Sequence, residues 1–167
     1  MKKIILLFTL FLFTFNNYSQ DKGYVGIGLG YATLGGDYSE VSGGLSMNLL
    51  GVGYMFSEKI GATLNLGGSS HSEDGITAAL SYTSIGPLFR FPVGENMTFD
   101  LKPQFASTAV SVDNVSVSGD GFIFGTSLNF SKSEKWGFGA NLDYQTSEVT
   151  GVKYTSFSIG GGFQYRF

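Results

Sequence analysis

From Tyr24 to the last residue, apolar residues alternate with polar or small ones, interrupted by stretches rich in Gly, Ser, Asn and acids. Side chains on a β-strand point alternately to opposite faces, so each alternating run reads as a strand with one apolar face. The last run is the clearest. Phe167, Tyr165, Phe163, Gly161, Ile159 and Phe157 share one face; Arg166, Gln164, Gly162, Gly160 and Ser158 share the other. Eight such strands are predicted, at 24–33, 44–56, 60–68, 76–91, 97–109, 122–130, 136–146 and 154–167. The apolar phase slips near Leu49–Leu50, which predicts a bulge, since one extra residue sends every later side chain to the opposite face.

The connections alternate in length. Those at 57–59, 92–96 and 131–135 are tight turns, whereas 35–42, 69–75, 111–121 and 147–153 read as longer polar loops carrying most of the acids. Pro87 and Pro103 sit awkwardly inside strands and are read as bulge or strand-end positions. The charges then fix which face is which. Arg90, Asp100, Lys102, Asp143 and Arg166 lie in the predicted strands, all on the face opposite the Phe, Leu, Ile and Tyr sets. Lys or Arg facing lipid at mid-bilayer costs about 2–4 kcal/mol, so the energetically consistent arrangement puts them in a lumen and the apolar faces against hydrocarbon. A soluble barrel reverses that polarity and would expose an apolar belt to water. The expected fold is all-β: an eight-stranded antiparallel up-and-down transmembrane β-barrel. Aromatics at strand ends read as two interfacial girdles, Tyr24, Phe56, Phe91, Phe130, Trp136 and Phe167 at one rim and Tyr31, Tyr82, Phe122, Tyr144 and Tyr154 at the other.

The front of the chain changes the compartment. Lys2 and Lys3, then the apolar stretch Ile4 to Phe15, then a polar exit to Gln20, have the layout of a secretory signal peptide. Twelve residues are too few for a helical span, which needs about 20. Cleavage is expected near Ser19 or Gln20, giving a signal peptide at 1–19 and one barrel domain at 20–167. Without Lys2 and Lys3, 8 basic residues face 13 acidic ones, a net charge of −5, with no basic run suited to nucleic acid. The absence of cysteine excludes disulfides, thiolate metal sites and lipid attachment through cysteine. The 25 glycines follow no triplet period and so are not collagen-like.

At this level of detail the chain resembles a known family. Ile85-Gly86-Pro87-Leu88-Phe89-Arg90-Phe91 and Phe99-Asp100-Leu101-Lys102-Pro103-Gln104-Phe105 are similar to the central hairpin of bacterial outer-membrane β-barrel domain proteins, the small eight-stranded OmpA/OmpX-type barrels. The ending Gln164-Tyr165-Arg166-Phe167 resembles their terminal signature. The resemblance implies an outer-membrane location with both termini periplasmic. It also implies a C-terminal assembly signal (Phe163, Tyr165, Phe167) read by the barrel-assembly machinery, and contact with membrane lipid or lipopolysaccharide. A monomer is expected.

Candidate chemistry is sparse. An eight-stranded interior is just wide enough for side chains to fill. The predicted lumen network comprises Arg90, Asp100, Lys102, Gln104, Asn141, Asp143, Gln164 and Arg166, with Asn48, Asn65, Asn129 and Gln145 beside them; Arg90 and Asp100 are expected to meet as a diagonal cross-strand pair. Inward glycines gather on the first strand (Gly26, Gly28, Gly30), the seventh (Gly137, Gly139) and the eighth (Gly160, Gly162). This predicts one bare wall with a narrow wet slot, or long side chains reaching into it. His71 shares parity with Ser69 and Glu73, a Ser-His-acid set, but in a polar run that reads as a loop tip. No catalytic, cofactor or metal site is assigned. Two further functions are weighed against a structural or adhesive role: a narrow porin-like channel, and a lipid A-modifying enzyme. Loop 111–121, with alternating Val112, Val115 and Val117, is expected to extend its hairpin as a protruding edge for partner strands.

Overall fold

The computed structural model describes residues 22–167 apart from 38, 40–42, 74–75, 113–114, 132 and 134, so the predicted signal peptide lies outside the described residues. Eight antiparallel strands follow one another around a closed wall: β1 (Gly23–Gly36), β2 (Gly44–Met55), β3 (Ile60–Glu73), β4 (Ile76–Gly94), β5 (Met97–Val112), β6 (Val115–Ser131), β7 (Trp136–Val149) and β8 (Val152–Arg166). β1 pairs with both β2 and β8, which closes the ring. Gly23 and Phe167 exchange reciprocal backbone bonds of 2.9 Å at the seam. An added Cβ on Gly23 would lie 2.6 Å from the exposed Phe167 ring, which would have to swing aside.

The parity derived from the charges holds around the wall. Ile27, Leu29, Tyr31, Ile85, Phe105, Phe138, Ile159 and Phe163 are exposed on the outside. Asp100, Gln104, Asn129, Gln145, Gln164 and Arg166 are buried within. The slip in β2 is a bulge, since its register jumps at Asn48/Leu50 against β3 and at Gly26/Gly28 against β1. With its amide turned to donate, Asn48 Nδ2 reaches Leu50 O and Leu66 O at 3.0 Å and bridges the irregularity.

Four expectations need correction. The segments read as loops at 69–75, 111–121 and 147–153 are largely strand. β3 and β4 meet across residues 74–75, β5 and β6 across 113–114, and β7 and β8 across Thr150–Gly151. Polarity is no loop signal here, because above the hydrocarbon an outward strand face has no need to be apolar. On β5 and β6 the outward set passes from Phe105 and Phe122 to Ser107, Ser111, Ser116, Ser118 and Asp120. Consequently Asp120, Glu148 and Lys153 are strand residues too, facing outward beyond the apolar band. That band covers residues 97–105 of β5 and 122–130 of β6, matching the about 9–11 residues of a tilted membrane strand.

Pro87 and Pro103 sit at neither a bulge nor a strand end, unlike Pro92, where the β4–β5 register shifts. Between Ile85↔Phe105 and Phe89↔Leu101 the register is unchanged while the pairing lapses, which sets Pro87 opposite Pro103. Proline has no N–H to donate, and placing the two face to face concentrates the missing bonds in a single gap.

The girdles also lose members. Tyr24 and Tyr82 share the inward parity of Arg90 and the glycines, and Tyr154 is 1% exposed; all three line the lumen. The rim that carries the chain ends keeps cross-strand ring pairs: Phe91–Phe99, Phe130–Phe138 and Trp136–Tyr165, with centroids 6.5, 5.5 and 4.9 Å apart. Finally, Arg90 and Asp100 are directly opposite rather than diagonal.

The β7–β8 turn generates a test. Thr150 and Gly151 both have positive φ, 52° and 81°, as the tightest hairpin turn requires, and a β-branched residue is strained there. Thr150→Asn is expected to raise stability by roughly 1 kcal/mol, measured by urea unfolding of the refolded barrel.

Candidate functional site: the lumen

Because the strands pair in register apart from the β2 bulge and a shift at Pro92/Gly94, inward residues form rows around the interior, and the chemistry changes from row to row. Nearest the chain ends, Arg90 Nε and Nη2 donate to Asp100 Oδ1 and Oδ2 at 2.8 and 2.7 Å. Asn129 Nδ2 donates to Asp100 Oδ2 at 3.0 Å. The two-pronged guanidinium–carboxylate geometry is the strong form of this bond. The Arg90 guanidinium also lies 5.8 Å from the centre of the Tyr24 ring. Leu88 and Met55 are buried at this end, and Arg166 Nη1 donates to Ser131 Oγ.

The middle row belongs to Gln104. Its Oε1 accepts from Asn65 Nδ2 at 2.6 Å and Ser84 Oγ at 2.8 Å. Beside it, Lys102, Gly125 and Asp143 are successive neighbours on β5, β6 and β7. Asn141 Nδ2 donates to Asp143 Oδ2 at 3.1 Å. Among the described residues no direct ion pair joins Lys102 to Asp143. Both line a cavity of about 110 Å³ together with Tyr82, Asn129 and Gln164, and Gln164 Nε2 has no protein partner. Such a space is polar and roomy enough for several waters.

The far wall of this cavity is bare. Gly139, Gly162 and Gly28 are consecutive register partners on β7, β8 and β1, and all three line it. The slot predicted from the glycines is therefore present at mid-height. At the ends of the same strands the wall is covered, by Tyr24, Gln164 and Arg166 on one side and Tyr154 on the other.

Toward the opposite rim the lumen turns apolar, which the alternation had not indicated. Gln145 Nε2 donates to Thr108 Oγ1, Ser147 Oγ and Tyr154 Oη at 3.1–3.2 Å. Above this node Leu80, Val110, Val149 and Tyr154 form a buried cluster, with Leu34, Val112 and Val117 packed against it. Parity alone would have found Tyr24, Tyr82 and Tyr154; the habit of placing aromatics at membrane interfaces overrode it. His71 is likewise no loop tip. It lies within β3, 1% exposed, with Nε2 2.8 Å from Ser69 Oγ. That position is inside the wall, away from any lipid on the outer face.

Thus all eight predicted network residues face inward but form separate groups. Arg90 and Asp100 make one; Gln104 with Asn65 and Ser84 a second; Lys102, Asn141 and Asp143 a third, with Gln164 on the same cavity and Arg166 at the chain-end rim. Of the three residues expected to form the assembly signal, Phe163 and Phe167 are exposed on the outer face of the terminal segment, and Tyr165, on the same face, packs against Trp136.

Comparison with known proteins points to the same architecture. The outer membrane protein beta-barrel domain family matches residues 4–167. The chain belongs to that family. It is therefore a bacterial outer-membrane barrel, of the small OmpA/OmpX-like type. Neisserial surface protein A is 15% identical with a TM-score of 0.78, covering 89% of this chain and 98% of its own. The N-terminal barrel domain of Pseudomonas aeruginosa OprF is 14% identical with a TM-score of 0.55, over 86% and 98%. Ail, the attachment invasion locus protein of Yersinia pestis, in complex with the heparin analogue sucrose octasulfate, is 20% identical with a TM-score of 0.52, over 86% and 99%. A search of curated proteins gave no match.

The lumen makes a quantitative expectation. Arg90→Ala leaves Asp100, 1% exposed, without its cation and should cost about 3–5 kcal/mol, whereas Arg90→Met with Asp100→Leu should recover most of that loss. Urea titration of refolded variants, read as heat-modifiable gel migration, measures both.

Proposed function

We propose that this protein is a monomeric outer-membrane barrel with an occluded lumen, whose work is done by the surface it presents at the rim away from the chain ends. The observation that carries this reading is the pair of side-chain clusters at the two ends of the interior. Arg90, Asp100, Asn129 and Leu88 stand at one, and Leu80, Val110, Val149 and Tyr154 at the other. These clusters support reading the 110 Å³ cavity between them as a chamber rather than a passage. In this reading both termini are periplasmic and the long hairpins project outward. Phe163, Tyr165 and Phe167 present the assembly machinery with an aromatic stripe, and the outer band meets lipid and lipopolysaccharide. The acids Asp37, Asp120 and Glu148 near the projecting rim make it a poor match for sulfated ligands of the kind bound by Ail.

A second reading, a narrow channel for water or ions, draws on that same polar cavity. Planar-bilayer recording separates the two. The native protein is expected to give no discrete conductance steps. Tyr154→Ala and Leu80→Ala combined with Arg90→Ala and Asp100→Ala should give small, frequent ones. Regular steps from the unaltered barrel would favour the channel.

A further inference from the structure

Inside the wall, Asp100 and Arg166 toward one end and Val149 and Tyr154 toward the other are buried, whereas Lys102, Asn141 and Asp143 between them are only half-buried. These three face the 110 Å³ chamber, together with Ser158, the register partner of Asp143 on β8. Lys102 and Asp143 approach each other over Gly125: an added Cβ there would lie 3.5 Å from Lys102 Cε and 2.5 Å from Asp143 Oδ1. Bare backbone on β6 thus lets side chains from β5 and β7 converge. They do not close into an ion pair. Asn141 Nδ2 takes Asp143 Oδ2, and among the described residues neither Asp143 Oδ1 nor the Lys102 ammonium has a hydrogen bond.

The chain-end pair is the contrast. Arg90 and Asp100 complete each other with two bonds, while Lys102 and Asp143 lie side by side as a short dipole with bonding capacity unused on both charges. Across the chamber stand Gly28, Gly139 and Gly162, which present backbone alone. Charge narrows what fits this space. A lone anion is repelled by Asp143 and a lone cation by Lys102, and a buried charge without compensation is costly. A neutral molecule leaves both charges incomplete. A molecule bearing both signs a few bonds apart, laid antiparallel to the Lys102–Asp143 dipole, completes both. Size narrows it further: 110 Å³ is the share of about four waters, enough for a handful of heavy atoms.

We propose that this mid-height chamber is a binding site for a small zwitterion of the α-amino-acid kind. Its carboxylate accepts from Lys102 Nζ, and its ammonium donates to Asp143 Oδ1 and Ser158 Oγ. Its side chain, no larger than a methyl group or so, lies against the glycine wall. The site adds an interior function to the surface role proposed above, and only its retention of ligand rests on the closed ends of the lumen.

The test uses the full barrel refolded in detergent with glycine, phenylalanine or ammonium acetate at equal concentration, its thermal midpoint read from heat-modifiable migration. Glycine is expected to raise the midpoint by about 2–4 °C. Phenylalanine is too large for the chamber, and ammonium acetate supplies the two charges unlinked, so neither should shift it. Two variants check the site. Lys102→Met with Asp143→Leu removes both charges together, so that neither is stranded. Gly28→Leu keeps both charges and fills the space; an added Cβ there would have Gly161 O as its nearest neighbour, at 3.2 Å. Both variants should keep heat-modifiable migration and lose the glycine shift. No shift with glycine, an equal shift with phenylalanine or ammonium acetate, or an undiminished glycine shift in either variant overturns the proposal. Retention reports separately on the closed ends. Barrel refolded with radiolabelled glycine should carry a stoichiometric amount of label through gel filtration, and a midpoint shift without retention overturns only the occluded lumen.

Discussion

Hydrocarbon offers no hydrogen-bond partner, and everything else in this structure follows from that. Each backbone N–H and C=O at membrane depth must be matched within the wall, so the sheet has to close, and the β1–β8 seam with its reciprocal Gly23–Phe167 bonds is where it does. Closure by period-two strands then divides the side chains into two populations with no intermediate choice. Even the departures obey the rule. The bulge in β2 is bridged by Asn48, and Pro87 and Pro103 confront each other, so that neither breaks an otherwise intact ladder elsewhere.

Inside the wall the constraint is reversed. The interior has to be filled, and its charges have to be compensated. The two solutions differ along the axis. Near the chain ends Arg90 and Asp100 form a two-pronged pair backed by Asn129 and the Tyr24 ring. Near the opposite rim the strands have left the membrane, and there the interior is a small apolar core of the soluble kind. Between these, glycine on three adjacent strands opposes Lys102 and Gln104 and leaves room that neither solution fills.

The architecture was legible because it rests on parity, and parity is written directly in the residue order. The strand count, the inward placement of Arg90, Lys102 and Asp143, the β2 bulge and the mid-height slot all came from it. What failed were inferences that set parity aside. Tyr154 and Tyr82 were placed in a girdle on the strength of being aromatic, although their positions gave them to the lumen. Segments 111–121 and 147–153 were read as loops because they are polar, although Val110, Val112, Val115 and Val117 keep the alternation running. The apolar cap was missed because its members come from four strands and meet only once the register is known. The grouping of the polar network was hidden for the same reason.

The two-residue connections at 113–114 and 150–151 have a mechanical corollary. A projection joined to its base by a flexible loop swings freely and shields the base from load. Here the projecting arms are the wall strands themselves, continued without a hinge. A pull on their tips acts along the strand axes, as shear spread over many bonds at once instead of peeling them singly. Any tension applied at the tips would pass directly into the wall of the barrel.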